Sequence, residues 1–411
     1  MGSRLSFCYM ATQQNKQLFP FTSQLKSIFQ SLLTNGDEIR IVGGSVRDFL
    51  CNKTISDIDL ACIYNPHKTS EILQENNIKT IASGIKYGTI TAIVGNEKFQ
   101  ITTLRKDTEG SGRDCEVEFI YDFYQDAKRR DFTINAISID FANNVYDYFG
   151  GRKDLENKIV RFIGNSNQRI EEDHLRILRF FRFSCFYGQN IDRDGLKACI
   201  KNKEGITKLS KERIKDEFFK ILSCKNRKSL WQILLLMHQI KILDIILQDT
   251  SSLVGLENIF WLENILNYQF DEIFLLSAIS SQPKFNLSKI EKSHLQNITN
   301  PRFAIDFHSS TKDLIKLLIR FDKKEIIETF VLKLSRGTKE ILIDDFLRIY
   351  KILSNLNIPI FPVNGYHLLA AGVIPANIGK FLKYGQEYWI ENDFLVSTEQ
   401  IIKFILDNYK T

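Results

Sequence analysis

Long apolar runs are missing from this 411-residue chain. Its most hydrophobic stretch, LWQILLLMHQIKILDIIL, is interrupted by Gln232, His238, Lys241 and Asp244. A membrane span needs roughly 20 near-continuous apolar residues, so the stretch reads as an amphipathic core helix and no membrane partner is expected. CxxC pairs are also absent: the seven cysteines, an odd number, are scattered from Cys8 to Cys224. That argues against a zinc framework or a disulfide scaffold, and for reduced packing thiols in a cytoplasmic setting. No proline falls between Pro66 and Pro283, which leaves the middle of the chain free for uninterrupted helices. The absence of any His-Asp dipeptide speaks against a fused metal-dependent phosphohydrolase domain. Residues 1–36 contain no Asp or Glu, as transit peptides do, and MGSRLS fits a myristoylation pattern. Both matches are of low specificity beside the plainer reading, a short disordered or tag-derived start.

What is present is the composition of a soluble globular protein, 44% hydrophobic and 25% charged, long enough for two to four domains. The net charge is +6, but residues 151–225 hold 18 basic and 11 acidic side chains, so that segment carries the whole surplus. A basic segment of this kind suits either a solvated helical face or a polyanionic partner such as nucleic acid. Between residues 38 and 140, EIRIV, IDLACIY, GTITAIV, KFQITTLR and AISIDF have the length and β-branched content of strands. HKTSEILQENN reads as a helix, and KDTEGSGRDCEVE as a mobile loop. From about residue 152 the apolar spacing becomes i, i+3, i+4 and stays helical. The expected class is α+β, a small mixed head followed by an all-helical remainder.

Four stretches carry chemistry. IRIV runs into Gly43-Gly44, with a helix expected from Ser45. A glycine turn feeding a helix lets backbone N–H groups approach a phosphate, and Arg47 in the first turn could clamp the same anion. In SDIDLACIY the strand alternation puts Asp57 and Asp59 on one face and turns Ile58 and Leu60 into the core. Two carboxylates about 6–7 Å apart along a strand can bracket divalent cations spaced roughly 3.5–4 Å. A bare DxD is more often a solvated strand end; the phosphate turn upstream shifts the balance. In RRDFTINA, Arg130 and Asp131 need partners if buried. They either pair with each other, or Asp131 orients Arg130 toward a triphosphate or ribose. EEDHLRILRFFRF is read as one helix on which Asp173, Arg176, Arg179 and Arg182 recur every third residue, each step lagging by roughly 60°. Asp173 and Arg176 are then close neighbours able to share a ligand. Such rows are often ion-pair ladders, but three arginines beside one local Asp leave positive charge for an anion.

Together with YDYFGGRKDL and LSKERIKDEFFKIL, these stretches resemble the class II tRNA nucleotidyltransferase (CCA-adding enzyme) and bacterial poly(A) polymerase family, in the family's order over residues 38–225. A weaker echo, VNGYHLLAAGVIPANIGKFL, differs at Tyr366, His367 and Ala376. The resemblance implies a nucleotidyltransferase head at 37–151 after an N-terminal segment 1–36, then a helical neck 152–225, body 226–310 and tail 311–411. It implies addition of C, C and A to tRNA from CTP and ATP, or poly(A), A-only or CC-only synthesis, or a non-catalytic tRNA-binding relative. Asp57 and Asp59 would hold Mg2+; Gly43, Gly44 and Arg47 the triphosphate; Arg130, Arg179 and Arg182, with Asp131, the nucleotide's phosphates and sugar. Asp173 and Arg176 would act as a protein template that reads the base edge. GIKYGTITAIV lacks the Arg-rich element of the polymerases, and residues 107–113 resemble the flexible element that switches from C to A. One departure stands out: Gln100 occupies a position where the family has Glu. Oligomeric state is not fixed by any of these features.

Overall fold

The computed structural model describes residues 18–34, 38–107, 117–250, 253–304, 306–336 and 343–408. The chain divides into two compact units, Met1–Ile246 and Leu247–Thr411.

The first unit opens with α1 (Ser23–Leu32), whose N-terminus is capped by the Thr22 hydroxyl accepting from the Leu25 N–H at 3.1 Å. Its strands and helices then run β1 (Ile39–Val42), α2 (Gly44–Leu50), β2 (Asp59–Cys62), α3 (Pro66–Glu75), β3 (Lys79–Gly84), β4 (Thr89–Val94), β5 (Glu97–Thr103), β6 (Arg105–Asp107), β7 (Val117–Phe119), α4 (Phe123–Lys128), β8 (Ser138–Ile139) and β9 (Val145–Tyr146). Seven strands form one sheet in the order β3-β4-β5-β2-β1-β8-β9, while β6 and β7 make a separate ribbon. Only β2 and β5 pair in parallel, so the sheet is mixed, as expected.

Strand alternation gives the sheet two different faces. Ile39, Ile41, Leu60, Cys62, Phe99 and Ile101 turn one way and pack with Leu25, Ile28 and Phe29 of α1 and Leu73 of α3. Helix α1, ahead of residue 37, is therefore part of the head's core. On the other face lie Val42 and Ala61, packed with Leu104 and Phe123 in a smaller cluster. The strands β3, β6, β7 and β9 are not visible in the sequence pattern; each is short or draws its stability from the neighbouring strand. The expected loop between Arg105 and Phe119 springs from the β6–β7 ribbon, with Arg105 opposite Phe119 and Asp107 opposite Val117. Residues 108–116, most of the element expected to switch nucleotides, lie outside the described residues.

Helices complete this unit: α5 (Gly151–Glu156), α6 (Ser166–Glu172), α7 (Leu175–Tyr187), α8 (Arg193–Asn202), α9 (Lys211–Leu222), α10 (Arg227–Gln239) and α11 (Leu243–Ile246). Two expected single helices are broken. The run 229–247 turns at Lys241, which adopts φ +65°, and 171–183 breaks at Asp173, which is extended at φ −154° and ψ 106°. The second break has a tertiary cause. Asp173 Oδ1 accepts from the Leu175 N–H at 3.1 Å, and the following His174 ring occupies the space where a side chain on Gly205 would begin. Buried aromatics weld the RRDF segment after α4 to α7: Phe132 lies 4.8 Å from Phe162 and Phe162 stacks on Phe180 at 5.5 Å. Contacts of this kind add about 0.5–1.5 kcal/mol per pair beyond their burial.

The second unit is helical throughout its described residues: α12 (Val254–Leu266), α13 (Glu272–Ile279), α14 (Lys289–Thr299), α15 (Thr311–Arg320), α16 (Lys323–Arg336), α17 (Ile343–Asn355), α18 (Gly365–Ala370), α19 (Ile378–Glu391) and α20 (Thr398–Asn408). Ser288, Ser310 and Asn364 each start a helix with a reciprocal capping box. Leu368, Phe381, Trp389, Ile401 and Ile405 form a hydrophobic cluster across α18–α20.

Candidate active site

The acidic pair sits at the edge of the sheet's second face. Asp59 is the first residue of β2, opposite Val42 of β1 and Gln100 of β5. Register partners in neighbouring strands point to the same side, so Asp59 and Gln100 stand next to each other, both exposed. Asp57 is also exposed but lies just before the strand rather than within it. Ile58 and Leu60 turn into the core as expected. Crowding by protein raises the Asp59 pKa above the ordinary carboxylate value; Arg130 works against that shift, and the like charge of Asp57 adds to it. The site therefore holds two neighbouring carboxylates with only partial compensation, which suits a cation.

Gly43 closes β1 at φ +73°, a left-handed conformation that glycine adopts without strain. A Cβ there would lie 2.9 Å from Arg130 Nη1, so the glycine lets that guanidinium rest on the turn. Gly44 begins α2, one residue earlier than the sequence suggested. Arg47 is buried and internally committed: Nη1 donates to Asn135 Oδ1 at 2.6 Å, Nε and Nη2 reach Asp48 at 3.0 and 3.1 Å, and its guanidinium lies 4.2 Å from the Tyr187 ring. Its contacts join α2 to α7.

Arg130 and Asp131 do not pair with each other. Arg130 binds Asp126, four residues back, at 3.1 Å, and its Nη1 donates to the Asn135 carbonyl at 3.3 Å. Asp131 instead turns inward to Arg179 of α7, accepting from Nε at 2.7 Å and Nη2 at 2.5 Å. Burial alone would raise the Asp131 pKa, but Arg179, Asn135 and the Phe132 N–H outweigh it and hold the carboxyl below its usual value. Asn135, within the quoted RRDFTINA but not singled out from sequence, is the hub. Its Nδ2 donates to Asp131 at 3.0 Å while its Oδ1 and carbonyl receive Arg47 and Arg130.

The arginine row is likewise rearranged. Arg176 and Asp173 lie on either side of the helix break. Arg176 Nη1 donates to Glu172 at 2.6 Å and to the Arg169 carbonyl at 2.7 Å, whereas Asp173 Oδ2 accepts from Arg213 of α9 at 2.7 Å. Arg182 pairs with the buried Glu217 of α9. Each arginine of the row thus meets a carboxylate, two of them distant in sequence. The charge that looked unspent is spent in the fold. Arg213 and Glu217 were missed because nothing in their local spacing announces a partner 40 or 35 residues away, whereas Glu172 and Asp126 stand at ordinary i, i+4 spacing from Arg176 and Arg130 and could have been found from it. Arg179 keeps about a third of its side chain exposed beyond its pair with Asp131.

A glycine turn and an open acidic pair at the start of one strand, backed by arginine-bearing helices, define a nucleotidyltransferase head joined to a helical extension. Residues 39–161 match the poly A polymerase head domain family, and residues 188–253 match the family described as the probable RNA and SrmB-binding site of polymerase A. The chain is 32% identical over 403 residues to the mitochondrial CCA tRNA nucleotidyltransferase 1 of Homo sapiens, covering 94% of this chain and 90% of that one. It belongs to the CCA tRNA nucleotidyltransferase family. The CCA-adding enzyme of Staphylococcus epidermidis is 37% identical over 213 residues, 51% of this chain and 52% of its own length. In fold, the chain resembles the Bacillus stearothermophilus CCA-adding enzyme solved in complex with CTP, with a TM-score of 0.69 and 21% identity over 95% of this chain and 98% of that one. Among the described residues no helix is long and apolar enough to cross a membrane.

Proposed function

We propose that this protein adds C, C and A to the 3′ end of tRNA from CTP and ATP without a nucleic-acid template, releasing pyrophosphate. The observation that carries this reading is the open Asp57–Asp59 pair beside the Gly43–Arg130 turn, in a chain related along most of its length to CCA tRNA nucleotidyltransferases. Divalent-metal use follows from the family; the ion assigned here is Mg2+. The donors fit it, since Asp57, Asp59 and the Gln100 carbonyl are hard oxygens exposed at one site. When bound, such ions activate the 3′-hydroxyl nucleophile and neutralise the departing pyrophosphate.

The chain's own residues hold and select the nucleotide. Gly43 and Gly44 let the backbone approach the triphosphate, with Arg130 resting on the turn and Arg47 bracing the start of α2. Arg179 and Arg182 present charge from α7, and Asp131 and Glu217 fix their directions. Asp173 accepts from the exocyclic amine of C or A, and Arg176 donates to the adjacent ring acceptor. U and G then leave a polar group unpaired. In this structure both template groups are held by Arg213 and Glu172, so reading a base requires exchanging those contacts. Segment 152–225 serves as the neck that selects the nucleotide, 226–310 as the body and 311–411 as the tail, the helical C-terminal region following tRNA by shape and backbone charge.

Purified protein incubated with Mg2+, labelled CTP and ATP, and tRNA lacking its terminus should incorporate both C and A. Product length on a short RNA primer separates this outcome from poly(A), A-only or CC-only synthesis. Asp59→Ala should abolish incorporation and retain tRNA binding. Failure of the unsubstituted protein to incorporate both nucleotides overturns the reading.

A further inference from the structure

The helical unit Leu247–Thr411 contains a charged cluster that nucleotide chemistry does not use. Asp271 caps α13, His294 lies on α14 and Glu328 on α16, and one potential ligand atom from each falls within 4.8 Å of the other two. Asp271 Oδ1 is occupied, accepting from the Phe274 N–H at 2.9 Å, while Oδ2 faces the Lys324 ammonium at 2.6 Å. His294 Nε2 lies 2.6 Å from Glu328 Oε2. The remaining oxygen, Glu328 Oε1, is the anomaly. Glu328 is fully buried, and this atom has no hydrogen-bond partner. Lys324 at 3.7 Å is too distant to donate. A buried carboxylate oxygen with no hydrogen-bond donor, whose nearest cation is the Lys324 ammonium at 3.7 Å, leaves room for a closer cation.

The cation present now is exchangeable. Lys324 has 45% of its side chain exposed, and such a stem can carry its ammonium into solvent. A recess of about 520 Å³ borders the cluster, lined by His294, Asn297, Lys324 and Glu325 among others. Glu325 adds a second buried carboxylate oxygen with no hydrogen-bond partner.

We propose that Asp271, His294 and Glu328 bind a divalent transition-metal ion such as zinc, cobalt or manganese, which enters as Lys324 swings out. One imidazole nitrogen and two carboxylates form a donor set for this borderline class rather than for soft thiophilic metals. Bond lengths of about 2.0–2.2 Å require the His294–Glu328 edge, now 2.6 Å, to open and any longer edge, at most 4.8 Å, to close. The ion takes the place of the ammonium and of the proton shared by His294 and Glu328; that proton leaves to solvent and Lys324 keeps its charge. Once bound, the metal ties the start of α13 to α14 and α16.

The test uses full-length protein carrying Asp57→Asn and Asp59→Asn, so that the head's acidic pair does not contribute, and Co2+ as the spectroscopic probe. One equivalent of Co2+ should give visible d–d bands that Zn2+ displaces. His294→Gln should abolish the bands, and Lys324→Met, which removes the competitor, should bind at about a tenfold lower Co2+ concentration. Glu328→Gln provides an independent ligand loss should His294→Gln fold poorly by circular dichroism. Bands that persist in either ligand variant, or Lys324→Met protein that binds no Co2+ or binds it no more tightly, overturn the proposal. Because nucleotide incorporation is not the readout, such a failure leaves the proposed activity untouched.

Discussion

Replacing Gln100 by Glu tests how the metal site is built. Gln100 is the parallel register partner of Asp59, on a strand about 4.8 Å away, so the new carboxylate would lie about 5 Å from ions held by the acidic pair. Coulomb's law gives about 0.8 kcal/mol per pair of unit charges at that distance in water, and about 3 at an effective dielectric of 20. Asp57, Asp59 and Gln100 are all exposed, so the lower value applies, and a divalent ion doubles it to about 1.6 kcal/mol. Repulsion between the new Glu and Asp59 is present with and without the ion, so to first order it cancels from the binding energy. The expected result is roughly a tenfold fall in the Mg2+ concentration that half-saturates CTP incorporation, measured at fixed ionic strength with saturating CTP and tRNA. An unchanged or higher half-saturation would refute both the placement of the metal beside Asp59 and the reasoning from register.

Gly43→Ala forces a Cβ within 2.9 Å of Arg130 Nη1 at φ +73°. Backbone strain of about 1–2 kcal/mol and a displaced guanidinium should lower the incorporation rate at least tenfold while tRNA binding holds, as gel shift would show. Asp131→Asn removes the charge facing Arg179 and should cost about 2–3 kcal/mol in urea unfolding at pH 7, less than for a wholly buried pair because Arg179 is partly exposed. Since the folded pKa of Asp131 is lowered, its stabilisation is present above the unfolded value near 3.9 and lost as pH falls through the folded value. The gap between wild type and variant should therefore close in acid. Arg176→Ala should loosen discrimination among the four nucleotides more than it weakens tRNA affinity; unaltered discrimination in competition assays counts against a template role. Arg213→Ala frees Asp173, and should change nucleotide preference without altering the Mg2+ dependence of incorporation.

The sequence alone determined the parts whose physics is local. Period-two alternation fixed the principal strands and sent Ile58 and Leu60 inward, the glycine pair marked the turn ahead of α2, and helical spacing separated a mixed head from a helical remainder. The order of motifs identified the family. Tertiary structure decided what depends on distant partners. Local spacing suggested one continuous helix over 171–183, yet packing of His174 on Gly205 and the Arg213 contact to Asp173 divide it. Adjacent Arg130 and Asp131 looked like a pair, yet an ion pair forms wherever the fold first brings opposite charges together, here with Asp126 and Arg179. Glu217 on α9 meets Arg182 for the same reason. Side-chain periodicity is set by the backbone within a few residues, whereas compensation of a buried charge is set by whatever the folded chain places beside it.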